Sequence, residues 1–113
     1  MAHNLYLVFS QKPAEVSPEE YDRWYAHHAQ ENIESPGFVS AQRYMIREIA
    51  RSEPTGVEQH LALYEYKGDM SGWRTDLTRR VQSGEINLPP WFDRIGFTSW
   101  DCSPVGGRLT PGG

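Results

Sequence analysis

S-P-E-E-Y-D-R-W-Y-A-H-H-A-Q-E-N-I-E-S-P-G, Ser17 to Gly37, is the stretch that decides the fold. Ser17 is placed to cap a helix, Pro18 suits its first turn, and Glu20 follows three residues after the cap, the spacing of a capping box. Pro36 and Gly37 stop the same helix. At about 100° per residue, Tyr21, Trp24, Tyr25, His28 and Asn32 share one face. His28 lies within that stripe, and His27 falls to its flank beside Arg23, Glu20 and Glu31. One imidazole is therefore expected to face the interior and its neighbour to face solvent. An inward imidazole among aromatic rings is either a buried structural group or a general acid/base in a pocket.

Working outward, Asn4–Ser10 alternates as a strand, with Leu5, Leu7 and Phe9 opposite Tyr6 and Val8. After the helix, Phe38–Ile49 reads as a second strand, with Phe38, Ser40, Gln42 and Tyr44 expected on one face and Val39, Ala41 and Arg43 on the other. Residues 50–58, with Pro54 and Gly56, read as a turn into a third strand, Gln59–Lys67, forming an antiparallel hairpin. There His60, Ala62, Tyr64 and Tyr66 oppose Leu61, Leu63 and Glu65. Asp69 is expected to cap a second helix running to about Ser83, with Met70, Trp73, Leu77 and Val81 as its apolar stripe and Gly84 just beyond its end. L-P-P-W-F-D, Leu88–Asp93, predicts a proline-stiffened turn. Ile95–Ser103 is the last strand, with Phe97 and Ser99 opposite Thr98, Trp100 and Cys102.

The order β-α-β-β-α-β predicts an α+β, ferredoxin-like domain over residues 1–103: a four-stranded antiparallel sheet with two helices on one face. Residues 104–113 form a tail rich in Gly and Pro. The strands carry apolar residues on both faces, and two helices cover only one. Sheet-to-sheet pairing of two copies is the economical cover for the other, so a homodimer is expected.

Composition narrows the function classes. The 113 residues suffice for one domain, and 11 basic against 15 acidic side chains give a formal charge of −4. No basic run is present, so neither nucleic acid nor a membrane surface is an expected partner. Without a long apolar run or a leader pattern, a cytoplasmic protein is expected. Cys102 is the single cysteine. It reads as a small strand residue, and an internal disulfide is excluded. His27 and His28 are adjacent and diverge on a helix, while His60 and His3 stand alone, so no metal is expected. No glycine-rich phosphate loop follows a strand, and no cofactor is expected. The conspicuous asset is four Trp, six Tyr and four Phe in an otherwise polar chain.

The W-Y-A-H-H of the first helix and S-P-G-F-V-S-A-Q-R-Y leading into the second strand, with L-A-L-Y-E-Y in the third, resemble the dimeric α/β-barrel superfamily. The similarity is to its small EthD-like and muconolactone-isomerase-like members. Trp24, Tyr25, His28, Pro36, Gly37 and Phe38 carry it. In many relatives Leu-Pro or Val-Pro follows the histidine, where this chain has Ala29 and Gln30. The resemblance therefore leaves His27 as a second candidate base, and the helical face selects His28. The resemblance implies a homodimer whose sheets form a barrel, with a cavity in each subunit between sheet and helices.

The chemistry expected of such a pocket is proton transfer by His28, with Tyr6 and Tyr64 donating to a developing oxyanion. Arg43 is a candidate anchor for a substrate carboxylate, with a surface ion pair as the alternative. Trp24, Tyr25, Tyr66, Trp91 and Trp100 are candidate walls for a flat ligand, and Asn32 could orient His28 or the substrate. The function expected from these residues is a cofactor-independent isomerase or lyase acting on a small aromatic or lactone-like compound. The alternatives are a non-catalytic dimeric binder of small aromatic ligands and a cofactor-free monooxygenase of an electron-rich phenol.

Overall fold

The computed structural model describes residues 3–47, 49 and 59–113. Its elements are β1 (Asn4–Gln11), α1 (Pro18–Ile33), β2 (Phe38–Met45), β3 (His60–Tyr66), α2 (Ser71–Ser83), a 3₁₀ turn (Phe92–Arg94) and β4 (Gly96–Cys102). The sheet order is β2-β3-β1-β4, and every neighbouring pair is antiparallel. This is the expected ferredoxin-like arrangement. The turn expected over residues 50–58 lies outside the described residues.

Local chemistry accounts for the helices. Ser17 Oγ accepts the Glu20 N–H at 3.1 Å and caps α1. Beyond the helix, Gly37 has φ +98°, and a Cβ there would meet the Lys67 carbonyl oxygen at 3.3 Å. Only glycine makes this return without strain, which brings the Lys67 N–H to the Gly37 carbonyl at 2.8 Å and starts β2 against β3. At α2 the expectation shifts by one residue: Met70 occupies the cap position, and Asp69 Oδ1 takes the Ser71 N–H at 2.9 Å from just outside it. Gly84, at φ +86°, ends α2 as a left-handed C-cap.

Tyr6, Val8 and Ser10 on β1 and Ala62, Tyr64 and Tyr66 on β3 are buried on one side of the sheet. Both helices pack there. Tyr21 of α1 hydrogen-bonds Ser10, Asn32 of α1 hydrogen-bonds Tyr64, and Trp73 of α2 lies against Tyr6 with ring centroids 5.3 Å apart. A polar clasp ties the helices together. Arg80 of α2 donates to the Glu31 carbonyl at 2.8 Å and to Ser35 Oγ at 3.1 Å, while Ser35 donates to Asp76 at 2.8 Å.

Two strand expectations are corrected. β2 ends at Met45, not Ile49. A bulge between Phe38 and Ser40 also breaks its alternation, so Phe38, opposite Tyr66, shares the helix side with Ala41 and Arg43, opposite Tyr64 and Ala62. The other side of the sheet presents Leu5, Leu7, Leu61 and Leu63 with Tyr44 and Trp100, and the last two are 48% and 59% exposed.

Candidate functional site

A hollow of about 220 Å³ lies between the sheet and the helices. Alternation on β1 and β3 delivers Tyr6, Val8 and Tyr64 to its floor. The 3.6-residue period of α1 stacks Tyr25, His28 and Asn32 along one wall, and α2 closes the opposite side with Trp73 and Leu77. Phe92 of the 3₁₀ turn and Phe97 and Ser99 of β4 complete it. Phe97 and Ser99 are exposed, so the hollow opens on the β4 side.

His28 is 8% exposed, and its ring stacks on Trp24 at 4.8 Å between centroids and 15° between planes. Phe92 meets it edge-on. Burial lowers the His28 pKa below the ordinary 6.5; the neighbouring Glu31 carboxylate opposes the shift without reversing it, and His27 adds slightly to it. The imidazole is therefore neutral at physiological pH. Nδ1 is enclosed without a hydrogen bond and lies 3.4 Å from Glu31 Oε1, which leaves Nε2 as the nitrogen open to the hollow.

One turn along the same wall, Asn32 Nδ2 donates to the Tyr64 hydroxyl at 3.0 Å. That leaves the hydroxyl's own proton to be donated. Burial raises the Tyr64 pKa to about 12, and it raises that of Tyr25 as well. Both phenols therefore remain proton donors at neutral pH. Asn32 Oδ1 is buried with no partner among the described residues. An orphaned acceptor and an orphaned imidazole nitrogen together are costly unless the site uses them.

Of the residues singled out in the sequence, His28, Tyr6, Tyr64, Tyr25 and Asn32 come together here. Six others do not line the hollow. Trp24 backs His28 from behind. Trp91 donates Nε1 to Glu20 at 3.1 Å, pinning the 3₁₀ turn to the start of α1. Arg43 is engaged as an ion pair with Asp22 at 2.8 Å and stands 5.2 Å over the Tyr25 ring, the alternative placement expected for it. Tyr66 sits at the far end of β3 and donates to Asp101, with burial and that carboxylate raising its pKa to about 12. Trp100, opposite Leu7, lies on the other side of the sheet because β4 pairs with β1 in that register.

His27, the second candidate base, is 75% exposed and outside the hollow. The sequence reading passed over Trp73, Phe92, Phe97 and Ser99, although the apolar stripe of α2 and the parity of β4 carried the signal. Glu31, on the flank of α1 beside His27, is either a histidine partner or solvent-facing by its position; its side chain is 13% exposed and lies 3.4 Å from His28 Nδ1. Among the described residues no group of three or more His, Cys, Asp or Glu is arranged to hold a metal ion, and no helix is long and apolar enough to cross a membrane.

No family model matches the chain, and no curated protein matches it. Among solved structures, it is similar to a "putative monooxygenase" from Shewanella loihica PV-4. The likeness covers 95% of this chain and 99% of that one, with a TM-score of 0.59 and 11% identity. A likeness at that identity supports the ferredoxin-like fold and leaves the chemistry to the site. It nevertheless corrects the functional expectation. The matched protein is described as a "putative monooxygenase", not as an isomerase or lyase, and the isomerase or lyase expectation is not carried further.

Proposed function

We propose that the chain is a cofactor-independent monooxygenase of an electron-rich phenol, working as a homodimer of the EthD-like, dimeric α/β-barrel kind. The observation that carries this reading is the neutral, Trp24-backed His28 opening on an aromatic hollow beside the Tyr64–Asn32 pair. The hollow is below the roughly 300–1,000 Å³ of drug-sized ligand sites, which suits a substrate of one or two rings.

His28 Nε2 accepts the phenolic proton, and the resulting phenolate is the electron donor to dioxygen. Oxygen bonds to a ring carbon bearing hydrogen, and the peroxide then cleaves its O–O bond with loss of water. The sum is a phenol plus dioxygen giving a quinone plus water. The ring supplies all four electrons, one oxygen atom becomes the new carbonyl and the other leaves as water. Tyr64 and Tyr6 donate to the phenolate or peroxide oxygen, and Asn32 holds Tyr64 in place. The rings of Tyr25, Phe92 and Trp73 keep the phenolate away from bulk water.

The test is incubation of hydroxylated one- and two-ring aromatics under ¹⁸O₂ and, separately, under nitrogen in heavy water. Oxygen-dependent formation of a quinone carrying ¹⁸O is expected. Deuterium incorporation without oxygen dependence, or binding without turnover, sinks the oxygenase reading.

The dimer is expected to form through the open side of the sheet, where Trp100, Tyr44 and the β1 and β3 leucines make an apolar surface. Trp100→Glu places a charge in that surface and is expected to yield a monomer by light scattering after gel filtration. A parent protein that is already monomeric refutes the pairing.

A further inference from the structure

Glu31 lies between two histidines that have opposite access to solvent. Its Oε1 is 3.4 Å from Nδ1 of His28, which lines the hollow, and its Oε2 is 3.5 Å from Nε2 of His27, which is exposed. The spacings i,i+3 and i,i+4 along α1 produce this geometry directly. We propose that His28, Glu31 and His27 form a proton relay connecting the hollow with bulk water. The proposal deepens the oxygenase reading and rests on it for its substrate.

The enclosure of His28 Nδ1 is the reason a relay matters. Once Nε2 of His28 takes a phenolic proton, the imidazole has to lose one before it can act again, and its ring is enclosed by Trp24, Tyr25 and Phe92. The Nδ1–H bond of the imidazolium breaks as Glu31 Oε1 takes the proton. The carboxyl group turns about Cγ–Cδ, and its O–H bond breaks as His27 Nε2 takes the proton while the His27 Nδ1–H bond breaks to water. His28 is left neutral with its proton on Nε2, and it gives that proton to the peroxide oxygen that departs as water. A proton returning from water along the same path restores Nδ1–H on both histidines, so no net proton is released. Contacts of 3.4–3.5 Å are long for hydrogen bonds, and such contacts tighten when substrate binds.

Among the described residues that line the hollow, no charged group faces His28. From β1 and β3 it faces the phenols of Tyr6 and Tyr64, and from α1 that of Tyr25. The α2 helix and the 3₁₀ turn offer Trp73, Leu77 and Phe92, and β4 offers Phe97 and Ser99. Glu31 is in turn held by its own helix end, where Arg80 grips its carbonyl. This makes Glu31 a positioning residue that fixes the proton on Nδ1 and leaves Nε2 as the base.

The experiment needs no substrate. Histidine ring nitrogens are followed by NMR in the parent, His27→Gln and Glu31→Gln. Glu31→Gln should lower the His28 pKa through loss of the facing carboxylate. His27→Gln should slow exchange of the His28 ring N–H proton with water several-fold, and added imidazole should restore it. An unchanged exchange rate in His27→Gln, or an unchanged His28 titration in Glu31→Gln, overturns the relay. Slowed His28 exchange in His27→Gln, in a protein that oxidises no phenol, supports the relay and refutes the oxygenase.

Discussion

His28→Phe is expected to lower oxygen-dependent turnover by about 10²–10⁴-fold, the contribution of a well-placed general base, while the protein stays folded. Phenylalanine keeps a ring stacked on Trp24 and edge-on to Phe92, and it removes only the nitrogens. His28→Ala should lose a similar factor and also stability, because it empties the space against Trp24. A His28→Phe variant that retains turnover ends the role of His28. The pH dependence follows from burial. His28 titrates below the ordinary 6.5, so the rate should hold as the pH falls through that value and drop only at lower pH, where the imidazole protonates. The same shift acts on stability. The unfolded chain binds its proton at a higher pH than the folded one, so the folded state loses stability as pH falls below about 6.5. Urea midpoints in His28→Phe should fall less steeply with acid than those of the parent, and His60, also lowered by burial, should retain its share of the dependence.

The elements of this fold were legible because their signals are local. Ser17 with Pro18 marked the start of α1, and alternation in Tyr6–Val8 and Ala62–Tyr64–Tyr66 assigned residues to the two sides of two strands. The helical period likewise set His28 inward and His27 outward. What stayed hidden depends on where elements meet. The bulge after Phe38 has no strong local signature, yet it moves Phe38 to the same side as Arg43. Arg43 then reaches Asp22 across a β2–α1 distance that no spacing encodes. Trp100 is instructive in the opposite sense. Its parity with Cys102, against Ser99 and Phe97, was visible, and once β4 paired with β1 it could belong only to the side away from the hollow. Glutamate on a helix flank defaults to solvent, yet the Glu31 side chain is only 13% exposed. The α1 and β-strand parts of the site, polar Asn32 and Tyr64 included, were therefore foreseeable, and the rings that α2, the 3₁₀ turn and β4 bring to it were not.

Tyr21→Ala should be the most damaging single truncation of the core, at about 3–5 kcal/mol, the range for large aromatic side chains. Tyr21 is completely buried, and its ring lies within 6.0 Å of Trp24, Tyr25, His60 and Trp91, centroid to centroid. No neighbour can collapse into the space without leaving its own contacts. Its hydroxyl adds a second role, meeting Ser10 Oγ at 2.8 Å, and Ser10 is itself fully buried. Tyr21→Phe keeps the ring and strands the Ser10 hydroxyl, at a cost of about 1–3 kcal/mol. Adding Ser10→Ala removes the stranded group, so the double variant should recover part of that loss, since deleting both partners can approach neutrality. Chemical denaturation of the three variants separates the terms. Equal midpoints for Tyr21→Ala and Tyr21→Phe would show that the hydroxyl, and not the ring, carries the contribution. The consequence reaches the site, because Tyr21 and Trp91 both buttress Trp24, and Trp24 is the surface on which His28 lies. Tyr21→Ala should therefore depress turnover even at temperatures where the variant remains folded, whereas Tyr21→Phe should leave turnover near that of the parent.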